Sequence, residues 1–268
     1  MSRTRVLVVV GLVVAAAVAG IRVVLVQQAA LARKRIGKPL GEESPDADRL
    51  WRRSLDGEPL ELLLLGDSIA AGLGAEHRKE TLGGRLAKAA ARRLHRPVRL
   101  RTAAVVGAES PDLPAQLDAL PADCHPHVAV IVVGGNDVTH RLPVALSAQH
   151  LNEAIRRLRM RGAEVVVGTC PDLGALRAVP QPLRRIASSL SRRLAEVQDE
   201  TARQAGAEPV DLRRAVGPMF FDEPEAMFSL DRFHPSALGY RRTAEALLPA
   251  VCRAAETALS SRRRQGPR

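Results

Sequence analysis

The chain has 268 residues and a formal net charge of +11, with four Phe, one Tyr and one Trp. Seven Arg or Lys and no acid fall within residues 1–38, and Arg262, Arg263, Arg264 and Arg268 lie in an acid-free tail, so the chain between these ends is formally neutral. That distribution, with so few aromatics, excludes a basic groove for nucleic acid; the cationic ends suit anionic lipid headgroups or solvent.

The amino end comes first. Residues 6 to 21 are apolar and uncharged, preceded by Arg3 and Arg5 and followed after Arg22 by Val23 to Val26. Two readings fit this 1–26 segment: a signal peptide cut at Ala17-Val18-Ala19, or a retained membrane anchor from Val6 to Val26. Arg33, Lys34, Arg35 and Lys38 outnumber Arg3 and Arg5, which by charge alone favours a cytoplasmic catalytic domain. The reading adopted is export, with an extracytoplasmic domain that is secreted or membrane-anchored. Residues 27–59 are polar and broken by Pro39, Pro45 and Gly57, and read as a juxtamembrane linker.

From Leu60 the pattern alternates. Apolar runs at 60–65, 98–104, 128–133, 164–168 and 207–212 have strand length, and amphipathic segments at 82–95, 111–120, 144–160, 182–205 and 237–258 have helix length. In the third of these, Leu151, Ile155 and Leu158 share one face while Arg156, Arg157 and Arg159 take the other. Such alternation predicts an α/β fold with a parallel sheet covered by helices. The domain is expected to run over 60–258, with 259–268 a basic tail. Cys124, Cys170 and Cys252 lack metal-like spacing, so no metal site is expected. They form one disulfide and an odd thiol, or three buried small side chains.

The chemistry sits at the strand ends. Leu62-Leu63-Leu64-Leu65-Gly66-Asp67-Ser68 places a hydroxyl at the carboxyl edge of a sheet, where open α/β folds bind their ligands. A serine needs a base to take its proton during attack, and Asp231-Arg232-Phe233-His234-Pro235 supplies an imidazole with an acid three residues before it. The oxyanion that attack creates needs fixed donors. Asn136, in Gly134-Gly135-Asn136-Asp137, offers a side-chain amide, and Gly107 and Ser68 offer backbone N–H groups. Asp67 and Asp137 read as loop braces. His125 and His127 read as exposed loop residues, and His140 as a surface residue. Asp172 lies on the active-site edge, with 174–182 as a candidate substrate wall.

In this order and strand context, Gly66-Asp67-Ser68, Gly107, Gly134-Gly135-Asn136-Asp137 and Asp231-Arg232-Phe233-His234 resemble the blocks of the SGNH hydrolase superfamily, the GDSL esterases and lipases. The resemblance covers about residues 60 to 255. Ile69 replaces the usual Leu of the first block, and Ala103 and Ala104 stand where the second often carries Asn. It implies a three-layer α/β/α sandwich of flavodoxin-like type with a five-stranded parallel sheet and no cofactor. It further implies Ser68 as nucleophile, Asp231 and His234 as the acid–base pair, and Ser68, Gly107 and Asn136 as oxyanion donors. The function expected is a serine esterase acting on a small, lipid or glycan ester; an acyltransferase using the same acyl-enzyme, or a non-catalytic membrane-tethered binding module, is the alternative.

Overall fold

The alternation along Leu60–Gly66 decides where the layers lie. Leu60, Leu62 and Leu64 project to one face of the sheet and Leu63 and Leu65 to the other, and all five are buried. A strand buried on both faces needs helices above and below it. In the computed structural model, which describes residues 3–265, the strands are β1 (Leu50–Trp51), β2 (Leu60–Gly66), β3 (Val98–Thr102), β4 (Val128–Val132), β5 (Glu164–Gly168) and β6 (Glu208–Val210). The helices are α1 (Arg3–Ile36), α2 (Ser68–Ala71), α3 (Leu82–Leu94), α4 (Leu113–Asp118), α5 (Gly135–His140), α6 (Val144–Met160), α7 (Leu183–Gln204), α8 (Leu212–Ala215), α9 (Gly217–Asp222), α10 (Pro224–Met227) and α11 (Ala237–Gln265).

The sheet order is β1-β3-β2-β4-β5-β6. Strands β2 to β6 run parallel to one another, in register from Leu62 against Val128 and Val128 against Glu164. The five expected parallel strands are therefore present in a three-layer sandwich. One correction concerns the edge, where β1 adds a sixth, antiparallel strand by pairing Leu50 with Arg99 and Trp51 with Val98. Helices α3 and α11 cover one face, burying Leu82, Leu86, Tyr240 and Leu247 against Leu62, Leu64 and Val130. Helices α4, α6 and α7 cover the other, where Leu113, Leu151, Ile155 and Leu158 meet Leu63, Ile131 and Val165. Because the chain steps from β2 out to β3 and returns to β4, the order reverses between β2 and β4. A crevice opens there at the carboxyl ends, beside Ser68 and Asn136.

Three further regions differ from the sequence reading. The stretch 27–59, expected as linker, carries the end of α1 to Ile36 and the strand β1, and the Asp48 carboxylate accepts from Thr102 N–H at 2.9 Å. The expected basic tail is helical to Gln265 as the end of α11, with Arg262 donating to the carbonyls of His125 and Pro126; Arg268 lies outside the described residues. His127 is half-buried and accepts from Glu61 N–H through Nδ1 at 3.0 Å, which ties the entrance of β4 to β2. Cys124, Cys170 and Cys252 are free thiols, and burial pushes the Cys170 thiol well up. Helix α1 is long and apolar enough to cross a membrane by length and composition, which fits a signal peptide or a membrane anchor.

Candidate active site

Strand β2 ends at Gly66, where the backbone turns sharply with φ +128°. A Cβ there would stand 1.8 Å from the carbonyl oxygen of Val132, so a side chain is sterically forbidden and the turn depends on glycine. Gln116 holds the same residue on its other side, accepting from Gly66 N–H at 2.9 Å and donating to its carbonyl at 2.8 Å. The Asp67 carboxylate then caps α2 by accepting from Ile69 N–H at 2.9 Å, and Ser68 becomes the first helical residue. The Gly66 turn and the side chains of Gln116 and Asp67 together hold Ser68 in place.

The loop between α10 and α11 brings the base. Ser229 N–H donates to the His234 carbonyl at 2.8 Å and Ser236 N–H to that of Met227 at 2.9 Å, which closes residues 227–236 into a tight loop. Within it Arg232 adopts a left-handed φ of 57°, curling the chain so that Asp231 Oδ1 accepts from the N–H groups of Phe233 and His234, each at 2.9 Å, and from the Ser229 hydroxyl at 3.0 Å. Asp231 Oδ2 is left for the ring, 2.5 Å from His234 Nδ1, and His234 Nε2 lies 2.9 Å from Ser68 Oγ. Burial alone would raise the Asp231 carboxyl, but the hydrogen bonds from the His234 ring and from the two backbone amides outweigh it and hold the group below its ordinary value. An ionised, buried carboxylate fixes the imidazole with Nδ1–H toward itself, so that Nε2 offers its lone pair to the serine hydroxyl.

The two loops are built against each other. A Cβ on Gly74, three residues beyond α2, would meet the Pro235 carbonyl at 2.6 Å, so the serine turn and the histidine loop approach as closely as backbone permits. Tyr240, fully buried in α11, donates its hydroxyl to the Leu73 carbonyl at 2.6 Å. The Phe233 ring meets the imidazole edge to face at 4.9 Å.

Asn136 sits at the carboxyl end of β4 and lines the same pocket. Its Nδ2 donates to the Ala108 carbonyl at 2.9 Å, which orients the amide and leaves its second N–H for another acceptor. Gly107 has φ +86° and belongs to a neighbouring depression with Arg101, Ala103 and Val105, apart from the Ser68 pocket lining. The structure thus gathers Ser68, His234 and Asn136 around one pocket, with Asp231 against the far nitrogen of the His234 ring, and places Gly107 one residue from the carbonyl that Asn136 grips.

Two buried carboxylates, Asp67 and Asp137, brace their loops, as the sequence suggested. Asp137 accepts from the Ser147 hydroxyl at 2.6 Å and from Ser110 N–H. Asp67 is pushed up from 3.8 to about 6, chiefly by burial, with the bond from Ile69 N–H and the nearby His234 acting in the opposite direction. His140 is exposed and pairs with Glu109. Pro171, Asp172, Leu173, Ala175 and Leu176 form one wall, so of the expected 174–182 stretch only Ala175 and Leu176 line the pocket. Sequence reasoning missed the other wall, made by Leu212, Val216, Phe220 and Phe228. A signal existed, since in a chain with four Phe, three of them, Phe220, Phe228 and Phe233, line this pocket.

Known proteins share the family and the fold of this chain. The model of the GDSL-like lipase/acylhydrolase family matches residues 64–242. The chain is similar to the GDSL-like esterase Rv1075c of Mycobacterium tuberculosis, at 41% identity over 243 residues that span 87% of this chain and 77% of that protein. Its fold is that of the lipase/acylhydrolase from Enterococcus faecalis (TM-score 0.58, 22% identity, covering 71% of this chain and 94% of that one). It is also that of Axe2, an acetylxylan esterase from Geobacillus stearothermophilus (TM-score 0.58, 18% identity, 73% and 95% covered). The family match over most of the chain and the 41% identical relative show that the chain belongs to the GDSL-like lipase/acylhydrolase family of SGNH hydrolases and is a hydrolase acting on esters.

Proposed function

We propose that the protein is a serine esterase that works through a Ser68 acyl-enzyme. The observation that carries this reading is the unbroken relay from Asp231 Oδ2 through His234 Nδ1 and Nε2 to Ser68 Oγ, at 2.5 and 2.9 Å, opening into an apolar pocket. As Ser68 Oγ bonds to the ester carbonyl carbon, its proton passes to His234 Nε2, and Asp231 stabilises the imidazolium. Collapse of the tetrahedral adduct breaks the bond to the leaving oxygen, which takes the proton from Nε2. Water, deprotonated by the same nitrogen, then attacks the acyl-enzyme and releases the acid.

The negative oxygen of each adduct is met by the free N–H of Asn136 and the backbone N–H of Ser68, each such donor contributing about 3 kcal/mol to transition-state stability, while Gly107, the third donor of the family pattern, lies outside the pocket lining. Apolar walls favour an acyl chain over a sugar in this pocket. Of the other polar side chains lining it, Asp67 accepts from Ile69 N–H, Asp172 from Gly174 N–H, and the Thr243 hydroxyl donates to the Gly239 carbonyl, so each is already engaged within the protein. The catalytic domain over 60–258 is extracytoplasmic, with α1 as its signal or anchor. Fluorophosphonate labelling of the full chain beside Ser68→Ala tests the nucleophile. A single adduct lost in the variant is expected, and absence of labelling in the folded wild type would refute it.

A further inference from the structure

Helix α1 meets the domain along one stripe. Gln28, Ala32 and Arg35 lie four and three residues apart and so share a helical face. The Gln28 side chain donates to the Gln181 carbonyl at 2.5 Å and accepts from Leu183 N–H at 3.0 Å, spanning Pro182, which has no N–H of its own. Ala32 is 6% exposed and sits in a cluster with Leu173, Leu176 and Val179. Arg35 donates to the Ala178 carbonyl at 3.4 Å. Residues 11–24, one turn before this stripe, are exposed throughout.

The segment that α1 touches is the back of the pocket wall. Leu173 and Leu176 face Ser68's pocket on one side and Ala32's cluster on the other. Between β5 and α7 this segment has no ladder of strand bonds and is shaped by single turns, such as Leu176 N–H to the Leu173 carbonyl at 3.2 Å and Val179 N–H to that of Leu176 at 3.0 Å. Few internal bonds make a wall that moves unless something outside holds it. From α7 the Ser191 hydroxyl accepts from Leu173 N–H at 3.2 Å, and α1 holds the stretch beyond.

We infer that the last turns of α1 are part of the enzyme, a clamp that sets the position of the Leu173–Leu176 wall, with Gln28 as its positioning residue. This rests on the reading of the Ser68 pocket as the acyl site. The clamp lies after Ala17-Val18-Ala19, so a chain cut there keeps it as surely as an anchored one. Membrane attachment and pocket shape are therefore separate duties of one helix, divided between its exposed apolar length and its final stripe.

The test uses the full chain in detergent, as wild type, Gln28→Ala and Ala32→Trp. Amide hydrogen exchange over 173–183 is expected to rise about fivefold in both variants, as the loss of about one net hydrogen bond would give. The KM for nitrophenyl octanoate is expected to rise about fivefold while kcat/KM for the acetyl ester, whose single methyl has little surface to lay against the wall, stays within about twofold. Unchanged exchange in both variants would overturn the clamp, and an equal loss on the two esters would reduce Gln28 to a stabilising contact. If the wild type turns over no ester, the esterase reading fails, and the exchange measurement alone decides whether α1 holds the wall.

Discussion

Tyr240 donates its buried hydroxyl to the Leu73 carbonyl at 2.6 Å, and so ties the helix that follows His234 to the turn that follows Ser68. Burial pushes the phenol well above its ordinary value, which favours the protonated, donating form. Tyr240→Phe keeps the ring and orphans a buried carbonyl, which costs about 1–3 kcal/mol. A lower unfolding midpoint is expected in denaturant titration, together with a lower kcat as the two loops lose their register.

Gly66 tolerates no side chain. With Cβ space occupied at 1.8 Å by the Val132 carbonyl and φ at +128°, Gly66→Ala must push β2 from β4 in the middle of the sheet. A loss of about 4 kcal/mol or more is expected, read as insoluble expression or a collapsed thermal transition. Gly107→Ala has open space around its Cβ and pays only for its left-handed backbone, about 1 kcal/mol.

Asp67, buried, and His127, half-buried, give stability opposite dependences on pH. Asp67 is raised from 3.8 to about 6, so between those values the native state keeps a proton that the unfolded chain releases, and stability falls as pH rises through this window. His127 is lowered from 6.5 to about 4 by burial and by Arg262 and Arg96, so the unfolded chain takes up a proton that the native state refuses, and stability falls as pH drops from about 6.5 to 4. Asp67→Asn, which keeps an acceptor for Ile69 N–H, should make stability rise more steeply with pH over this range; His127→Asn should make it rise less. Urea midpoints at pH 4, 5, 6 and 7 read both slopes.

Asp231→Asn preserves the bonds to Phe233 and His234 N–H through an amide oxygen but favours the wrong imidazole tautomer. By analogy with other serine hydrolases a fall in kcat of about 10⁴ is expected, with the fold intact. Asn136→Ala should cost about 10²–10³ in kcat with little change in KM, as for a donor used only in the transition state. Steady-state kinetics with circular dichroism as a folding control separates both from misfolding.

Sequence reading recovers what is long or repeated. Strands β2, β4 and β5 show as continuous apolar runs because each is buried on both faces, and β3 shows by alternation, with Val98 and Leu100 buried between exposed Arg99 and Arg101, whereas β1 is two residues long and exists only through its register with Val98 and Arg99. The helices α8 to α10 stay hidden because Gly217, Pro218 and Pro224 interrupt any periodicity. Ser68 and His234 are 166 residues apart, and their meeting is readable from the order of the blocks but not from local pattern. Which peptide of the loop after β3 turns toward Asn136 depends on backbone dihedrals, and there Ala108, not Gly107, presents its carbonyl. The clamp by Gln28 carries no motif at all, since a glutamine near the end of an apolar helix reads as the edge of a linker.

The most direct test of Ser68 as the nucleophile is stopped-flow hydrolysis of nitrophenyl butyrate with intact mass measured during turnover. The geometry predicts a burst of nitrophenol equal to the enzyme concentration and a butyryl adduct on the Ser68 peptide, both absent in Ser68→Ala. Turnover without an adduct, or undiminished in Ser68→Ala, would contradict it.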